Sequence, residues 1–571
     1  MFYGSQTGSD FADFLLGAPT QYNQSQLQPF YGRNKYLGLY AQDAWRLRPN
    51  LTLNYGLRWD RIEPWYEKYN QLAVLEPGRK SVVFPTAPAG ILFPTDPGVR
   101  RTLAPPGNKD FAPRIGLVYS PTAASDSLLG KILGGPGQTS LRAGFGTFYT
   151  AIEALTIGVL AANAPYGTTY TSPTPPLFAT PFLSASTGQG SQYFPVQLAP
   201  LNSSASRPDP NIDWSQYEPI SGLPAYPTTN RIPYTEEYMF SLERQLSPNT
   251  VFSASYVGTQ GHRLLALVEA NPGNPALCLQ LMNPANLASG QTPCGPFLEG
   301  NTYITVSKQT ISGTRGPLGA NFGSDTNQAT IGNSNYNALE VTLRHTSGRL
   351  EILGGYTYSK SLDQASNLGE EINPLNPALS KALSAFDVKQ NFVVSYNYQL
   401  PVDRLFGVSN RWTQGWAISG ITRFSTGFPV TLYNYGDNSL LGTEPNGVNN
   451  FGVDEPQYTP GALEVNHNPR NGQPYFNTSL FSLQPLGEPG NAKRRFFYGP
   501  GIDNYDMALL KNVPLTESKS LQLRFEGFNV FNHAQFFGPA SVNGNINSSS
   551  FGEVVGAAAP RLMQAAVKFI F

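Results

Sequence analysis

The sequence predicts an all-β chain, an antiparallel transmembrane β-barrel of the outer-membrane type with long extracellular loops. Three observations carry this. Side chains alternate apolar and polar over stretches of about ten residues. Short turns join these stretches in pairs, with long links between the pairs. The composition is poor in charge (13%) yet rich in aromatics, with 30 Tyr and 34 Phe. Few charges with many aromatics argue against disorder. Equal numbers of basic and acidic residues, 38 of each, offer no general pull toward nucleic acid. No apolar run reaches the ~18 residues of a helical membrane span, whereas a barrel hides its apolar residues on alternate positions.

The first hairpin shows the pattern. Leu51, Leu53, Tyr55, Leu57 and Trp59 fall on one face, and Thr52, Asn54, Gly56, Arg58 and Asp60 on the other. Ten residues at ~3.3 Å, tilted ~45°, rise roughly 23 Å, close to the ~25 Å apolar band of an outer-membrane barrel. The pattern recurs at Asn337–Leu343, at Phe392–Tyr398 and at Leu521–Phe525. About thirteen strands are expected: 36–47, 51–62, 112–120, 139–150, 234–246, 250–258, 336–346, 349–360, 388–400, 415–426, 503–511, 519–531 and 560–571.

Arg48-Pro49-Asn50, Ser247-Pro248-Asn249, Ser347-Gly348 and the segment from Lys511 to Lys519 join strands closely. The links near 63–111, 151–233, 262–335, 361–387 and 434–502 are long. Short links on one rim and long ones on the other are the expected asymmetry of a barrel with a periplasmic and an extracellular side. The apolar stretch Ala151–Ala164 is too short to span a bilayer and reads as a helix or loop at the barrel mouth. At the end, Met563, Ala565, Val567, Phe569 and Phe571 share the apolar face. Phe571, with Phe569, suits a closing strand whose terminal aromatic is presented to the barrel-assembly machinery.

The polar faces carry Arg58, Asp60, Glu340, Arg344, Arg423, Arg524, Glu526 and Lys568, expected to face the lumen. On the lipid face a charge near mid-bilayer would cost ~2–4 kcal/mol, so this placement is structural first. The apolar positions expected to meet outer-membrane lipid are Leu53, Tyr55, Leu57, Val341, Leu343, Val394, Leu523, Phe525, Val567 and Phe569.

The residues point to no catalysis and no cofactor. There is no phosphate-binding loop, no H-E-x-x-H and no nucleophile elbow. Gly144-Phe145-Gly146 lies inside a strand pattern. The four histidines are scattered, so no metal site is expected. Lys493-Arg494-Arg495 reads as a solvated basic patch, and Glu236-Glu237 and Glu370-Glu371 as carboxylates at strand starts or in loops. The two cysteines, Cys278 and Cys294, are either free thiols or a loop disulfide; the disulfide is the expectation for an exported protein. The start, Met1-Phe2-Tyr3-Gly4-Ser5, has neither the basic nor the apolar region of a signal peptide. No repeat at ~40–50 residues supports a propeller-type enzyme.

Several blocks resemble a known family: Phe11–Gly17, 38–60, 111–121, 255–264, 334–345, 354–363, 494–512 and 523–536 are similar, in order, to TonB-dependent transporters of the Oar-like barrel group. The resemblance implies a 22-stranded barrel around an N-terminal plug. It also implies a TonB box coupling to the inner-membrane energy complex, and a small carboxypeptidase-regulatory-like β domain ahead of the plug. None of these N-terminal parts is recognisable, so residues 1–571 are expected to be the C-terminal portion of such a receptor barrel. Contact with the TonB energy complex would then run only through the missing N-terminal region. The implied role is energised uptake of a large or scarce nutrient of unknown identity. The alternative is an adhesin or export-associated barrel acting through its surface loops.

Overall fold

The computed structural model describes residues 2, 4, 6–25, 30–122, 127, 130, 133–153, 156, 158, 164–167, 169–171, 176–184, 212–443, 453–469 and 472–571. Its dominant feature is one antiparallel meander of thirteen strands. In chain order these are β1 (Tyr36–Arg48), β2 (Leu51–Ile62), β3 (Gly107–Tyr119), β4 (Thr139–Tyr149), β5 (Tyr234–Ser247), β6 (Thr250–Glu269) and β7 (Thr326–Ser347). They continue as β8 (Leu350–Asp363), β9 (Gln390–Gln399), β10 (Trp416–Ser425), β11 (Ile502–Pro514), β12 (Ser520–Phe528) and β13 (Leu562–Ile570). Every strand pairs with its neighbours in sequence, so sheet order is chain order. Two short segments add to this wall, Pro224–Ala225 on β7 and Ala382–Leu383 on β8. Among the described residues β1 and β13 are each paired on one side only.

All thirteen expected strands are present, but several ends differ. β6 runs on to Glu269 and β7 starts at Thr326, well beyond the predicted 258 and 336. Their hairpin stays paired past Gly261, where the register shifts at Gly261/Leu264 and Arg263 takes a φ of 54°. Alternation lapses there because, above an apolar band, neither face has to be hydrophobic. The link 262–335 is thereby shortened to 270–325. On the turn rim Gly348 closes β7 to β8 with a φ of 52°, a backbone that glycine adopts without strain. Two links on this rim, 120–138 and 400–415, are longer than turns, and the second holds the helix Val402–Leu405. The segment 151–164 lies largely outside the described residues.

Cross-strand register joins side chains into rows on each face. One row runs Trp45, Leu53, Leu117, Ala143, Phe240, Tyr256, Leu339 and Tyr358. Another runs Ile418, Leu509, Phe525 and Ala565. All ten positions expected to meet lipid lie on this one face, and it is open: Leu57 is 49%, Phe525 55% and Val567 67% exposed.

The buried hydrophobic core lies elsewhere. Its four clusters draw all their buried members from links on the long-loop rim. Phe84, Phe93, Tyr166 and Trp214 pack edge-on in the first. Phe476, Phe481 and Phe497 do so in the third. The long links thus fold as a packed layer with its own interior.

Candidate functional site

The polar face of the wall carries the eight strand charges expected to face the lumen. Arg58 and Asp60 form an ion pair at 2.8 Å, and the Tyr36 hydroxyl donates to Asp60 at 2.6 Å. Arg524 pairs with Glu526 at 2.5 Å, and Gln564 donates to Glu526 from β13. Arg423 donates to Asn391 at 3.0 Å and lies over the Phe537 ring. Glu340 stands between Ser255 and Thr357, and Lys568 opposite Gln522. Two grooves open on this face. One, of about 660 Å³, brings together Arg344, Arg524 and Glu526 with Asp506; the other, of about 690 Å³, includes Arg58 and Arg114. Glu340, Arg423 and Lys568 line neither groove. Residues two apart on a strand share a face, so Arg58–Asp60 and Arg524–Glu526 neutralise each other locally. The face is polar without being strongly charged.

At the C-terminus Phe569 lies opposite Leu521 and stacks on Phe571 at 5.8 Å, with Phe571 itself 89% exposed.

Above the wall, the long-loop layer buries charge. Arg494 meets Asp363 at 2.8 Å and Glu370 at 3.1 Å, while Arg495 pairs with Glu370 and donates to Thr431 at 2.7 Å. The side chains of Arg494, Arg495 and Glu370 are almost fully shielded. This corrects the reading of Lys493-Arg494-Arg495 as a solvated patch. Lys493 is exposed, but its two neighbours turn inward and join the loop 364–389 to the segment 494–498. Composition shows a basic run; only the partner carboxylates, more than a hundred residues earlier, make it a core element. Burial alone would raise the Glu370 carboxyl, but the Arg494 and Arg495 guanidiniums hold it below the usual range.

The adjacent Glu371 behaves oppositely. Burial and the nearby Glu269 push it up to about 8, and its Oε2 has no hydrogen-bond partner. Glu269, at the far end of β6, accepts from Ser324 Oγ at 2.6 Å and from the amides of Asn271 and Asp325. Asp325 accepts the Leu223 amide at 2.8 Å, and burial raises it to about 7. Arg315 spans the junction, donating to the carbonyls of Asn271 and Gly442. These contacts tie four links of the layer together.

Cys278, in the helix Pro275–Met282, is bonded to Cys294 in the buried fourth cluster. Among the described residues no group of three or more His, Cys, Asp or Glu is placed to hold a metal ion.

A family model described as an outer membrane beta barrel domain matches residues 1–564. No curated protein matches the sequence. Among solved structures, the outer membrane transporter YddB from Escherichia coli aligns over 94% of this chain and 45% of its own, at 10% identity and a TM-score of 0.42. The ferripyoverdine receptor of the outer membrane of Pseudomonas aeruginosa aligns over 94% and 38%, at 10% identity and a TM-score of 0.38. The ferric-catecholate import receptor Fiu from E. coli aligns over 94% and 45%, at 11% identity and a TM-score of 0.38. The chain spans less than half the length of each of these structures.

Proposed function

Because the chain belongs to the family of outer-membrane β-barrel domains and is therefore a protein of the outer membrane, we propose that it supplies the wall of a TonB-dependent receptor. The receptor takes up a large or scarce nutrient. The observation that carries this reading is the uninterrupted meander with one apolar and one polar face. The apolar face meets lipid. The polar face lines a lumen, with Arg344, Arg524 and Glu526 around one groove and Arg58 around another. The packed loop layer caps the lumen on the extracellular side, and β1 and β13 join further strands to close the barrel. Energy enters through a segment that contacts TonB and belongs to the same receptor. The sequence blocks similar to Oar-like transporters support this reading.

The test compares cells carrying the intact gene with a deletion strain. Mass spectrometry follows depletion of growth-medium solutes, with and without a protonophore. Depletion that requires both the gene and the proton gradient supports the proposal. Gene-dependent surface attachment with no gene-dependent depletion overturns it in favour of an adhesin.

A further inference from the structure

On the apolar face, the row above the membrane-facing positions of β8 runs Tyr356, Tyr358, Lys360 and Leu362, since alternate residues of a strand share a face. Tyr358 sits opposite Leu339 and Lys360 opposite Asn337. Counting from the turn rim at Leu350, Lys360 is ten residues up its strand. At ~3.3 Å per residue and ~40° of tilt this is roughly 25 Å, the height of an outer-membrane apolar band. Lys360 therefore stands at the upper edge of the hydrocarbon region, directly above an exposed tyrosine.

There it meets a pocket of about 630 Å³ whose lining includes Lys360, Lys381, Lys389 and Lys493. All four lysines are exposed. Among the described residues none of them has an ion pair. Lys381 directly precedes the short strand Ala382–Leu383, whose Leu383 lies opposite Leu362 on the same face. The lining holds one carboxyl, Glu455. Burial pushes that group well above its usual range. Asp387, which lies within electrostatic reach of Lys360, is already engaged by the Tyr498 hydroxyl and the Ser361 amide. Arg495, also in the lining, is paired with Glu370. Four ammonium groups thus line one pocket and outnumber the carboxyls near them, Asp387 and Glu455, beside Leu379 and Tyr358, apolar and aromatic side chains that are 54% and 47% exposed.

We propose that this pocket binds the phosphorylated head group of a lipid in the membrane leaflet that the long-loop rim borders. The lysines hold phosphate as point charges, and Tyr358 and Leu379 lie against the upper part of the acyl region. Balanced net charge over the whole chain makes this a local feature rather than general basicity. The inference rests on the outer-membrane location and not on the proposed transport role.

The test uses the full-length protein in detergent and native mass spectrometry. The probes are a diphosphorylated acylated glucosamine disaccharide, its dephosphorylated counterpart, and inorganic phosphate. The expected result is retention of the diphosphorylated lipid at a concentration at least tenfold below that needed for the dephosphorylated one. Binding should weaken at least tenfold in the triple variant Lys360→Gln, Lys381→Gln, Lys493→Gln. It should persist in the corresponding triple Lys→Arg variant and in Lys80→Gln with Lys308→Gln, two exposed lysines elsewhere. Equal binding of the phosphorylated and dephosphorylated lipids overturns the proposal, and this comparison needs only the wild-type protein. Undiminished binding in a correctly folded Gln triple variant also overturns it. Displacement of the lipid by inorganic phosphate at equal concentration assigns the pocket to a free anion instead.

Discussion

Replacing Glu370 by Gln should loosen the loop layer by a predictable amount. The carboxylate is shielded from solvent, faces both Arg494 and Arg495, and accepts the Ser366 amide at 2.8 Å. Glutamine keeps the shape and one acceptor oxygen but removes the charge, leaving two guanidiniums close together with only Asp363 as an ionised partner. Removing one partner of a buried pair costs about 3–5 kcal/mol; the retained acceptor places this change near 3. At 1.4 kcal/mol per decade, local opening becomes about a hundredfold more frequent. Hydrogen exchange read by mass spectrometry should show that loss of protection in segments 380–387 and 493–498, which the Leu383 amide to Arg495 carbonyl bond joins. Strands β5 to β7 should be unchanged. The pH dependence has a definite sign. Glu370 is depressed in the folded state, so its contribution is present above the ordinary carboxylate range and is lost as pH falls through the folded value. The Gln variant should lack this acid step. Unchanged protection at 493–498 would refute the assignment of the ion network as the clasp of the layer.

Glu371 predicts the opposite slope. Raised to about 8 by burial, it contributes stability below its unfolded value near 4.3 that is lost as pH climbs through 8. Protection around 267–272 and 370–373 should fall between about pH 5 and 8 in wild type and fall less steeply in Glu371→Gln, where Asp325 still titrates; an equal slope in both rejects the idea. Cysteines placed at Val341, Leu343, Phe525 or Val567 in the full-length protein should react with lipid-soluble maleimide, and those at Thr342 or Arg524 with a water-soluble one. Reversed labelling would show that the faces are misassigned. Two freely alkylated thiols at Cys278 and Cys294 in protein isolated from outer membranes would contradict the bond between them. Its loss in Cys294→Ser should remove about 3 kcal/mol of local constraint, for a sixteen-residue separation, and expose 277–304 to protease. Residues 1–571 expressed alone behind a heterologous signal peptide should not support gradient-dependent uptake. The lone edges of β1 and β13 would present unpaired N–H and C=O groups to hydrocarbon, at several kcal/mol each. A heat-modifiable, protease-resistant barrel that does support such uptake would defeat this expectation.

The strands were legible because the membrane leaves little choice. A residue such as Leu57 or Arg58 can satisfy a lipid-spanning strand on one face only, so period two is written into the sequence wherever the wall crosses the band. Legibility stopped where that constraint stops. Past Gly258 the β6–β7 hairpin continues, yet its alternation carries no message because both sides are wet or covered by loops. The clasp was invisible for a different reason. Arg494 and Glu370 sit 124 positions apart, and nothing local distinguishes a buried arginine from a surface one. Glu370 and Glu371 are adjacent, identical in type and oppositely shifted. No rule based on residue identity could separate them; only the guanidiniums that face one and not the other do. The lysine pocket was missed likewise, since Lys360, Lys381, Lys389 and Lys493 come together only through long-range pairings, of Ala382–Leu383 and β9 with β8 and of Leu383 with Arg495.

That the apolar interior belongs to the loops and not to the wall separates two kinds of selection. A substitution in the sheet is judged by lipid and by its cross-strand neighbours. A substitution among Phe84, Phe93, Trp214 or Phe476 is judged, as in a water-soluble domain, by how well a small core closes. The outer surface of the layer answers to neither. That surface can therefore vary in sequence while the core beneath it and the wall below keep their shape.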